Sequence, residues 1–269
     1  MGFGDEIMAA GHAQRVFDAD PSKRVAICDR NGRPRWDPLW EGNPIIAPPP
    51  RVEAGEPVHR IQNAIGCRPY IRYPFTHSTG WTFTNWRAAD HVGRLYLTER
   101  ELAIGVDVRN ALGRFVVLEP SPIAKSNPNK AWGFDRFVAL VRAWPSQRFV
   151  QFKHPDSKLV PCVTAVPVET FRDACGVLAA SAGYVGPEGG LHHASAVLGV
   201  PAVVIFGGCT SVRTTGYPMH INLADDGPGT PCGKWVPCAH CREAMARITV
   251  EQVKQAMGRM LAESLERAS

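Results

Sequence analysis

The chain has 269 residues, which is enough to bury a large core and suits one large domain or two small ones. Apolar residues make up 45% and charged residues 20%, a globular composition that excludes an intrinsically disordered chain. No apolar run approaches the length of a membrane span. The net charge of +5 is mildly basic and favours an anionic ligand or surface.

The first residues of the chain, Met1–Glu6, do not have the character of a signal peptide or a transit peptide. We therefore expect a cytoplasmic protein with no transmembrane segment. Eight cysteines without a secretory signal indicate reduced thiols or metal ligands rather than a disulfide framework.

The first elements lie in a part of the chain that is poor in regular patterns. Apolar residues of the segment 1–20 repeat at helical spacing, so this segment is predicted to be a helix that an Asp-Pro pair ends. Residues 25–28 form a short predicted strand. From about 30 to 58 the chain is rich in Pro, Gly and Trp and is predicted to be irregular, with a strand near residues 45–46.

Residues 59–96 carry five arginines interleaved with aromatic residues, against one acid, Asp90. Arginines among aromatics can pair with phosphates and stack on bases or sugars. The segment is therefore either a surface that binds a saccharide or nucleic-acid acceptor, or a loop-rich unit whose aromatics form its core. We name Arg72, Trp81 and Arg87 as its candidate acceptor-binding residues.

From about residue 114 strands and helices alternate regularly. This spacing predicts a parallel sheet with helices on both faces. The predicted strands are 115–118, 149–152, 201–206 and 220–223, and the predicted helices are near 134–141, 169–180 and 190–198. Ligands of such sheets bind at the carboxyl ends of the strands. The loops of interest are thus 119–130, 153–158, 186–193 and 207–215.

The most informative stretch is YVGPEGGLHHASA at residues 184–196. It is predicted to be a strand end, a glycine-bearing turn and a short helix, and such a helix N-terminus offers unpaired N–H groups to a phosphate. Glu188, His192 and His193 stand at this point, and glycine allows a ligand to approach the backbone. An ordinary strand–helix turn with a solvated Glu and a packed His is the alternative.

The second half of the chain resembles the heptosyltransferase-like glycosyltransferases of glycosyltransferase family 9. The resemblance covers about residues 115–265, and in the first half only Gly4-Asp5 matches the family's glycine–aspartate near the start. Three pieces carry it in chain order: LEPS at 118–121 with NKAWGFDRF at 129–137, GPEGGLHH at 186–193 with PAVVIFG at 201–207, and PCAHC at 237–241 before ITV.

The resemblance implies an α/β fold of GT-B type, with two Rossmann-like domains that contain parallel sheets. It places a reduced, loop-rich acceptor-side domain at residues 1–113 and a nucleotide-sugar-binding domain at 114–269, with the final helix packing back on the first. An N-terminal domain of about 113 residues is unusually short for this family.

The resemblance also implies an inverting transfer of a sugar from a nucleotide-sugar donor to a hydroxyl acceptor, without an obligatory metal or other cofactor. Asp5 corresponds to the general base, next to Gly4 on the acceptor side. The predicted donor-binding residues are Ser121, Lys130, Lys153, His154, Glu188, Gly189, Gly190 and His193.

Three of the predicted site residues have a structural alternative. Asp5 can cap the helix that it opens, Lys130 can be a solvated surface lysine, and His193 can be a core histidine bonded to backbone. Two other functions also remain open. One is a glycosyltransferase that acts on DNA or a modified nucleobase through residues 59–96, and the other is a non-catalytic module that binds nucleotide-sugar or nucleic acid.

The cysteines near the C-terminus raise the question of a metal. Cys232, Cys238 and Cys241, with His240, have the ligand types of a zinc site, but the paired C-x2-C spacing occurs only once and a clear fourth ligand is missing. From the sequence we therefore expect this loop to be structural and free of metal.

Overall fold

The structure is a computed structural model that describes residues 2–73, 79–120, 127–154, 157–225 and 227–266. Among its described residues, the N-terminal part has two parallel strands, with Arg24 opposite Val58, and three α-helices. In chain order its elements are α1 (Phe3–Ala19), β1 (Arg24–Cys28), α2 (Pro49–Glu53), β2 (Val58–Gln62) and α3 (Glu99–Leu112).

The strand expected near residues 45–46 is an isolated bridge between Ile46 and Val25. The backbone of Val25 donates to Ile45 O and accepts from Ala47 N–H, at 2.8 and 2.9 Å. Three prolines follow at residues 48–50, and because proline has no N–H the pairing ends there.

The second part of the chain forms one parallel sheet of six strands in the order β5-β4-β3-β6-β7-β8. Its elements in chain order are β3 (Val116–Leu118), α4 (Phe134–Arg142), β4 (Phe149–Lys153), β5 (Thr164–Pro167), α5 (Phe171–Ala179), β6 (Gly183–Pro187), α6 (Gly190–Val197), β7 (Ala202–Ile205), α7 (Val212–Thr215), β8 (Ile221–Leu223), α8 (Ala239–Arg247) and α9 (Val250–Glu266). All carboxyl ends of the strands therefore lie at one edge.

Helices cover both faces of this sheet, and the alternation of side chains along each strand feeds two cores. On β3, Val116 and Leu118 pack with α4 and α9, whereas Val117 faces the opposite core with α5 and α6. The core that contains Val117 also includes Ile7 and Ala13 of α1. One apolar core is thus shared by both halves of the chain.

The halves also meet where α3 crosses α5. Gly105 and Gly176 let the two helix backbones touch, because a Cβ on either glycine would collide with the carbonyl of the other helix. Beside this crossing the Arg172 guanidinium binds the Glu101 carboxylate, with Nε 2.6 Å from Oε1, and both side chains are about nine-tenths buried.

The last helix, α9, begins with the predicted capping box, in which Thr249 N–H donates to Gln252 Oε1 (2.7 Å) and Gln252 N–H to Thr249 Oγ1 (3.2 Å). Its apolar face, including Val253 and Met257, packs on the six-stranded sheet and α4. This helix was expected to pack back on residues 1–113. Its buried face instead completes the core on one side of the six-stranded sheet.

The predicted class, α/β with parallel sheets, is confirmed. The boundary at residue 113 stays a prediction, since a shared core and the α3–α5 crossing join the two halves there. No helix in the described ranges is both long enough and apolar enough to cross a membrane.

Candidate active site

The loops at the carboxyl edge of the large sheet bring a lysine and a glutamate together. Lys130 ends a 3-10 turn, Pro128–Lys130, and its ammonium group contacts the carboxylate of Glu188, directly after β6. The N–H of Glu188 donates to Ile205 O at 3.2 Å, which fixes this residue to the end of β7. About a quarter of the lysine side chain is exposed (24%), against 6% for the glutamate.

The charges of this pair stabilise each other. Burial opposes ionisation of Lys130, but the surrounding negative charges and the hydrogen bond to Glu188, of which the Glu188 charge is the largest part, together outweigh it, and the pKa of the lysine is raised. Burial likewise opposes ionisation of Glu188, yet Lys130 and His193 lower the pKa of this carboxyl well below its usual range. The charge of Asp5 also raises the pKa of Lys130, which places Asp5 within electrostatic reach.

His193 lies in the first turns of α6 and is almost fully buried. Its Nε2 is 3.4 Å from Glu188 Oε1, and a 2.9 Å hydrogen bond joins its Nδ1 to the hydroxyl of Tyr217. Burial lowers the pKa of the neighbouring His192 well below its usual value, so this second ring is neutral. His193 is thus buried, as the core alternative expected, but its ring contacts the Tyr217 hydroxyl and the Glu188 carboxylate rather than backbone. A donor contact by His193 stays a prediction.

Asp5 is in the first turn of α1, with its side chain one-fifth exposed. Its Oδ2 accepts from Gly2 N–H at 3.0 Å, which is the capping contact expected as the alternative. Its Oδ1 accepts from the hydroxyl of Tyr70, and Arg68 Nη2 is 3.5 Å from Oδ2. Burial raises the pKa of Tyr70 far above its usual value, so the phenol stays protonated as a donor.

The N-termini of α1 and α6 meet at this point. A Cβ on Gly4 would lie 2.6 Å from Cδ2 of His193, so the imidazole ring of α6 packs directly against the backbone of α1 at this glycine. A Cβ on Gly190 would lie 3.2 Å from the Phe171 ring and 3.3 Å from Cβ of Phe3. The rings of Phe3 and Phe171 stack with their centroids 4.2 Å apart. Asp5 is thereby brought beside the turn that holds Glu188.

The remaining predicted donor-binding residues are more widely distributed. Lys153 and His154 are exposed at the carboxyl end of β4, and β3 separates that strand from β6. That separation is about 10 Å across the sheet. Gly189 precedes α6 and has open space at its Cβ position, with Pro187 O at 4.0 Å. Ser121 lies outside the described residues. A donor contact by any of these four residues stays a prediction.

The arginine- and aromatic-rich segment divides between core and surface. Tyr70 is buried in a small core with Ile71, and the partly buried Trp81 and Trp86 pack against it. Arg72 and Arg87 are exposed. The core interpretation thus accounts for the aromatics named here, whereas acceptor binding by Arg72, Trp81 and Arg87 stays a prediction.

Three residues near the pair were not singled out from the sequence. Tyr70 reaches Asp5 from 65 positions away, and Tyr217 reaches His193 from beyond β7, so no local pattern links either to its partner. Glu119, at the end of β3, accepts from the Tyr184 hydroxyl at 2.5 Å. Burial raises the pKa of Glu119 to about 7. Its position at the carboxyl end of a predicted strand was the sequence signal that could have identified it as a site residue.

A second cluster lies in the chain after β8. The thiols of Cys232, Cys238 and Cys241 and the imidazole of His240 place one donor atom each within 4.8 Å of all the others. Three thiolates and an imidazole suit zinc, and thiolates also bind iron. The buried Nδ1 of His240 has no hydrogen-bond partner among the described residues, so the donor set fits a soft or borderline transition-metal ion.

No family model matches the sequence, and no curated protein sequence is significantly similar to it. Its fold is that of the family 9 glycosyltransferases. A family 9 glycosyltransferase from Veillonella parvula matches with a TM-score of 0.67 and 14% identity over 98% of this chain and 95% of that one. The ADP-heptose LPS heptosyltransferase II of E. coli matches with a TM-score of 0.61 and 15% identity over 97% and 96%.

A further match is TibC of E. coli, described as an iron-containing dodecameric glycosyltransferase, with a TM-score of 0.67 and 13% identity over 98% of this chain and 74% of that one. At such identities the likeness establishes the fold, so the GT-B-type architecture implied by the sequence is confirmed.

The expectation of a protein without metal is wrong. A solved structure with the same fold is described as iron-containing, and the cysteine loop assembles four ligands where the sequence offered no clear fourth. The fourth ligand is His240, which the sequence placed beside the cysteines without showing that its ring lies near the three thiols.

Proposed function

We propose that this protein is a glycosyltransferase that moves a sugar from a nucleoside-diphosphate sugar to a hydroxyl acceptor. The observation that carries the proposal is the ion pair of Lys130 and Glu188 at the carboxyl edge of the sheet, next to the N-terminus of α6. Asp5 of the N-terminal half follows Gly4, which lies against the His193 ring that contacts Glu188. A donor site on one half and a base from the other are what transfer between two bound substrates requires.

On the donor side, Lys130 and the first N–H groups of α6 meet the diphosphate. The leaving diphosphate gains negative charge as its bond to the anomeric carbon breaks, and an ammonium group and helix N–H groups stabilise that charge. The carboxylate of Glu188 would repel a phosphate, so its function is to hold Lys130 and to accept hydrogen bonds from sugar hydroxyls. His193, fixed by Tyr217, keeps that carboxylate in place.

On the acceptor side, Asp5 takes the proton of the attacking hydroxyl. The acceptor oxygen forms a bond to the anomeric carbon, its proton passes to the Asp5 carboxylate, and the electron pair of the broken bond leaves on the diphosphate. Attack from the side opposite the leaving group inverts the anomeric centre. Tyr70 and Arg68 orient the carboxylate for this step.

The names of two similar structures indicate which donor to test first. One is a heptosyltransferase that is named for ADP-heptose, and TibC is described in complex with ADP-D-β-D-heptose. We therefore favour an ADP-sugar, with a saccharide as acceptor. Cys232, Cys238, His240 and Cys241 would hold a metal ion that cross-links their loop.

The direct test is release of nucleoside diphosphate from a panel of nucleoside-diphosphate sugars that differ in base and sugar. We expect at least one donor to be cleaved, slowly with water and faster with its acceptor. Lys130→Ala should abolish cleavage, whereas Lys23→Ala, at an exposed lysine before β1, should not change it. If the protein neither cleaves nor binds any donor of the panel, the proposed function is wrong.

A further inference from the structure

The loop that follows β8 ends in the cluster of Cys232, Cys238, His240 and Cys241, here called the cysteine cluster. Local structure brings its members together: Cys238 is the N-cap residue of α8, and His240 and Cys241 lie in the first turn of that helix. Cys232 reaches the cluster because its N–H donates to Gly208 O at 2.8 Å, which ties it to the loop after β7.

The donor atoms of the cluster are close enough to bind one metal ion after small side-chain movements. In a tetrahedral site with metal–sulfur bonds of about 2.3 Å, ligand atoms are about 3.8 Å apart. The four donor atoms lie within 4.8 Å of one another, and the Sγ atoms of Cys232 and Cys241 are 3.0 Å apart. Nδ1 of His240 is buried without a hydrogen-bond partner among the described residues, which is a cost that a bound cation would remove.

The loop of residues 232–238 is hydrogen-bonded to the 3-10 turn that contains Lys130. The side-chain amide of Asn129 donates to Lys234 O and Val236 O, both at 2.8 Å, and accepts from Cys238 N–H at 2.9 Å. Asn127 also donates to Lys234 O at 2.8 Å. Asn129 is buried and directly precedes Lys130, so the position of that lysine depends on the position of the loop.

The loop also binds the N-terminal half. The N–H of Trp81 donates to Gly233 O at 2.8 Å, and the N–H of Trp235 donates to Thr79 O at 3.0 Å. The rings of Trp81 and Trp235 pack with their centroids 5.1 Å apart. A single loop, anchored at the cysteine cluster, therefore contacts both the lysine turn and the arginine- and aromatic-rich segment.

We propose that the cysteine cluster binds one zinc or iron ion, and that this ion positions Lys130 by ordering residues 232–238. The metal ion is a structural cross-link, and Asn129 transmits its effect. The metal-binding part stands independently of the glycosyltransferase proposal, whereas the consequence for a bound diphosphate rests on that proposal.

The first test is the metal content of the protein purified under reducing conditions without chelator. Elemental analysis should find about one zinc or iron per chain. Cys238→Ser and Cys241→Ser should lose the metal, whereas Cys162→Ser, at an exposed cysteine outside the cluster, should keep it. A wild-type protein that contains no metal and does not take up zinc or ferrous iron after reduction would overturn the site. A disulfide between Cys232 and Cys241, shown by mass spectrometry of such a protein, would replace it.

The second test measures the order of the loop without any substrate. Lys234 is exposed and is a trypsin site. Removal of the metal from the wild-type chain by a chelator should make cleavage after Lys234 about tenfold faster, and addition of the metal should restore resistance. Equal cleavage rates with and without metal would show that the ion does not order the loop.

The third test concerns Lys130. The metal-free wild-type protein should bind ADP about tenfold more weakly than the metal-bound protein, and Asn129→Ala should weaken ADP binding in the metal-bound form but add little after the metal is removed. Additive effects would show that Asn129 does not transmit the effect of the ion. If ADP does not bind even the metal-bound protein, the donor assignment fails, while metal content and proteolysis still decide the metal site.

Discussion

The proposed chemistry depends on the side-chain carboxylate of Asp5. Gly2, Tyr70 and Arg68 surround it with donors, which orient the carboxylate but also occupy the oxygens that have to accept a proton. An acceptor hydroxyl therefore has to displace one of these donors, and Tyr70 is the natural one because its hydroxyl contacts the oxygen that the other two leave free.

Replacement of Asp5 by asparagine tests this assignment. Asp5→Asn should lower the rate of transfer by about 10²–10⁴-fold, because a general base contributes that much, and it should leave donor binding nearly unchanged. Single-turnover rates and donor dissociation constants, measured side by side, separate the two effects. A rate that falls by less than about tenfold would exclude Asp5 as the base.

The pairing of Lys130 and Glu188 could be anticipated because parallel strands deliver their carboxyl ends to one edge of the sheet. The contacts of Tyr70 and Tyr217 could not, since each joins residues that only the tertiary fold brings together. The metal ligands were present in the sequence, but His240 becomes a convincing fourth ligand only when the start of α8 is known.

At the scale of elements, the site depends on two helix N-termini that touch. Gly4 of α1 lies against the ring of His193 in α6, and this ring is held on both sides by Tyr217 and Glu188. Because neither ring nor backbone has free space, a single methyl group at residue 4 has to displace one of them.

The substitution Gly4→Ala should therefore destabilise the protein by about 1–3 kcal/mol, the usual cost of overpacking, and should weaken donor binding through His193. The matched control is Gly2→Ala, because its Cβ would meet only Asp5 Oδ2 at an ordinary 3.7 Å. Chemical denaturation of both variants gives the comparison. Equal stability of the two variants would mean that α1 and α6 are not in contact.

Elements with strong periodicity were predicted well, including α1, α9 and the central strands of the large sheet. β5 was missed because it is an edge strand with two of its four residues exposed, so its pattern is weak. α3 was missed because Leu102 and Val106 point outward, and the helix is specified instead by the Thr98–Glu101 capping box and by packing on α5.

At the scale of the whole molecule, the two halves are joined where α3 meets α5. Burial raises the pKa of Glu101, but its hydrogen bonds and ion pair with Arg172 outweigh burial, so the pKa lies below its usual value. The pair therefore stabilises the fold fully above the usual carboxyl pKa of 4.5, and this contribution is lost as the pH falls through the lowered value.

Removal of the negative charge of Glu101 should lower the stability of the entire fold. Glu101→Gln should reduce the free energy of unfolding by about 3–5 kcal/mol at neutral pH, because it leaves the Arg172 guanidinium buried with backbone carbonyls but without a negatively charged partner. Glu169→Gln is the control: this carboxylate is 87% exposed, 3.9 Å from Arg100, and its loss should cost less than about 1 kcal/mol. Unfolding followed by fluorescence and circular dichroism should give one transition, and two separate transitions would show that the halves fold independently.

In the proposed donor site, the diphosphate group of a nucleoside diphosphate binds at Lys130 and the start of α6. Calorimetry should compare ADP, GDP, UDP and CDP with their bare nucleosides, for the wild type and for Lys130→Ala in its folded state. The best diphosphate should bind the wild type more tightly than its nucleoside, and Lys130→Ala should weaken diphosphate binding by about 1.5–3 kcal/mol while leaving the nucleoside unaffected. Equal affinity for each diphosphate and its nucleoside would mean that no phosphate binds at this turn, which would contradict the account.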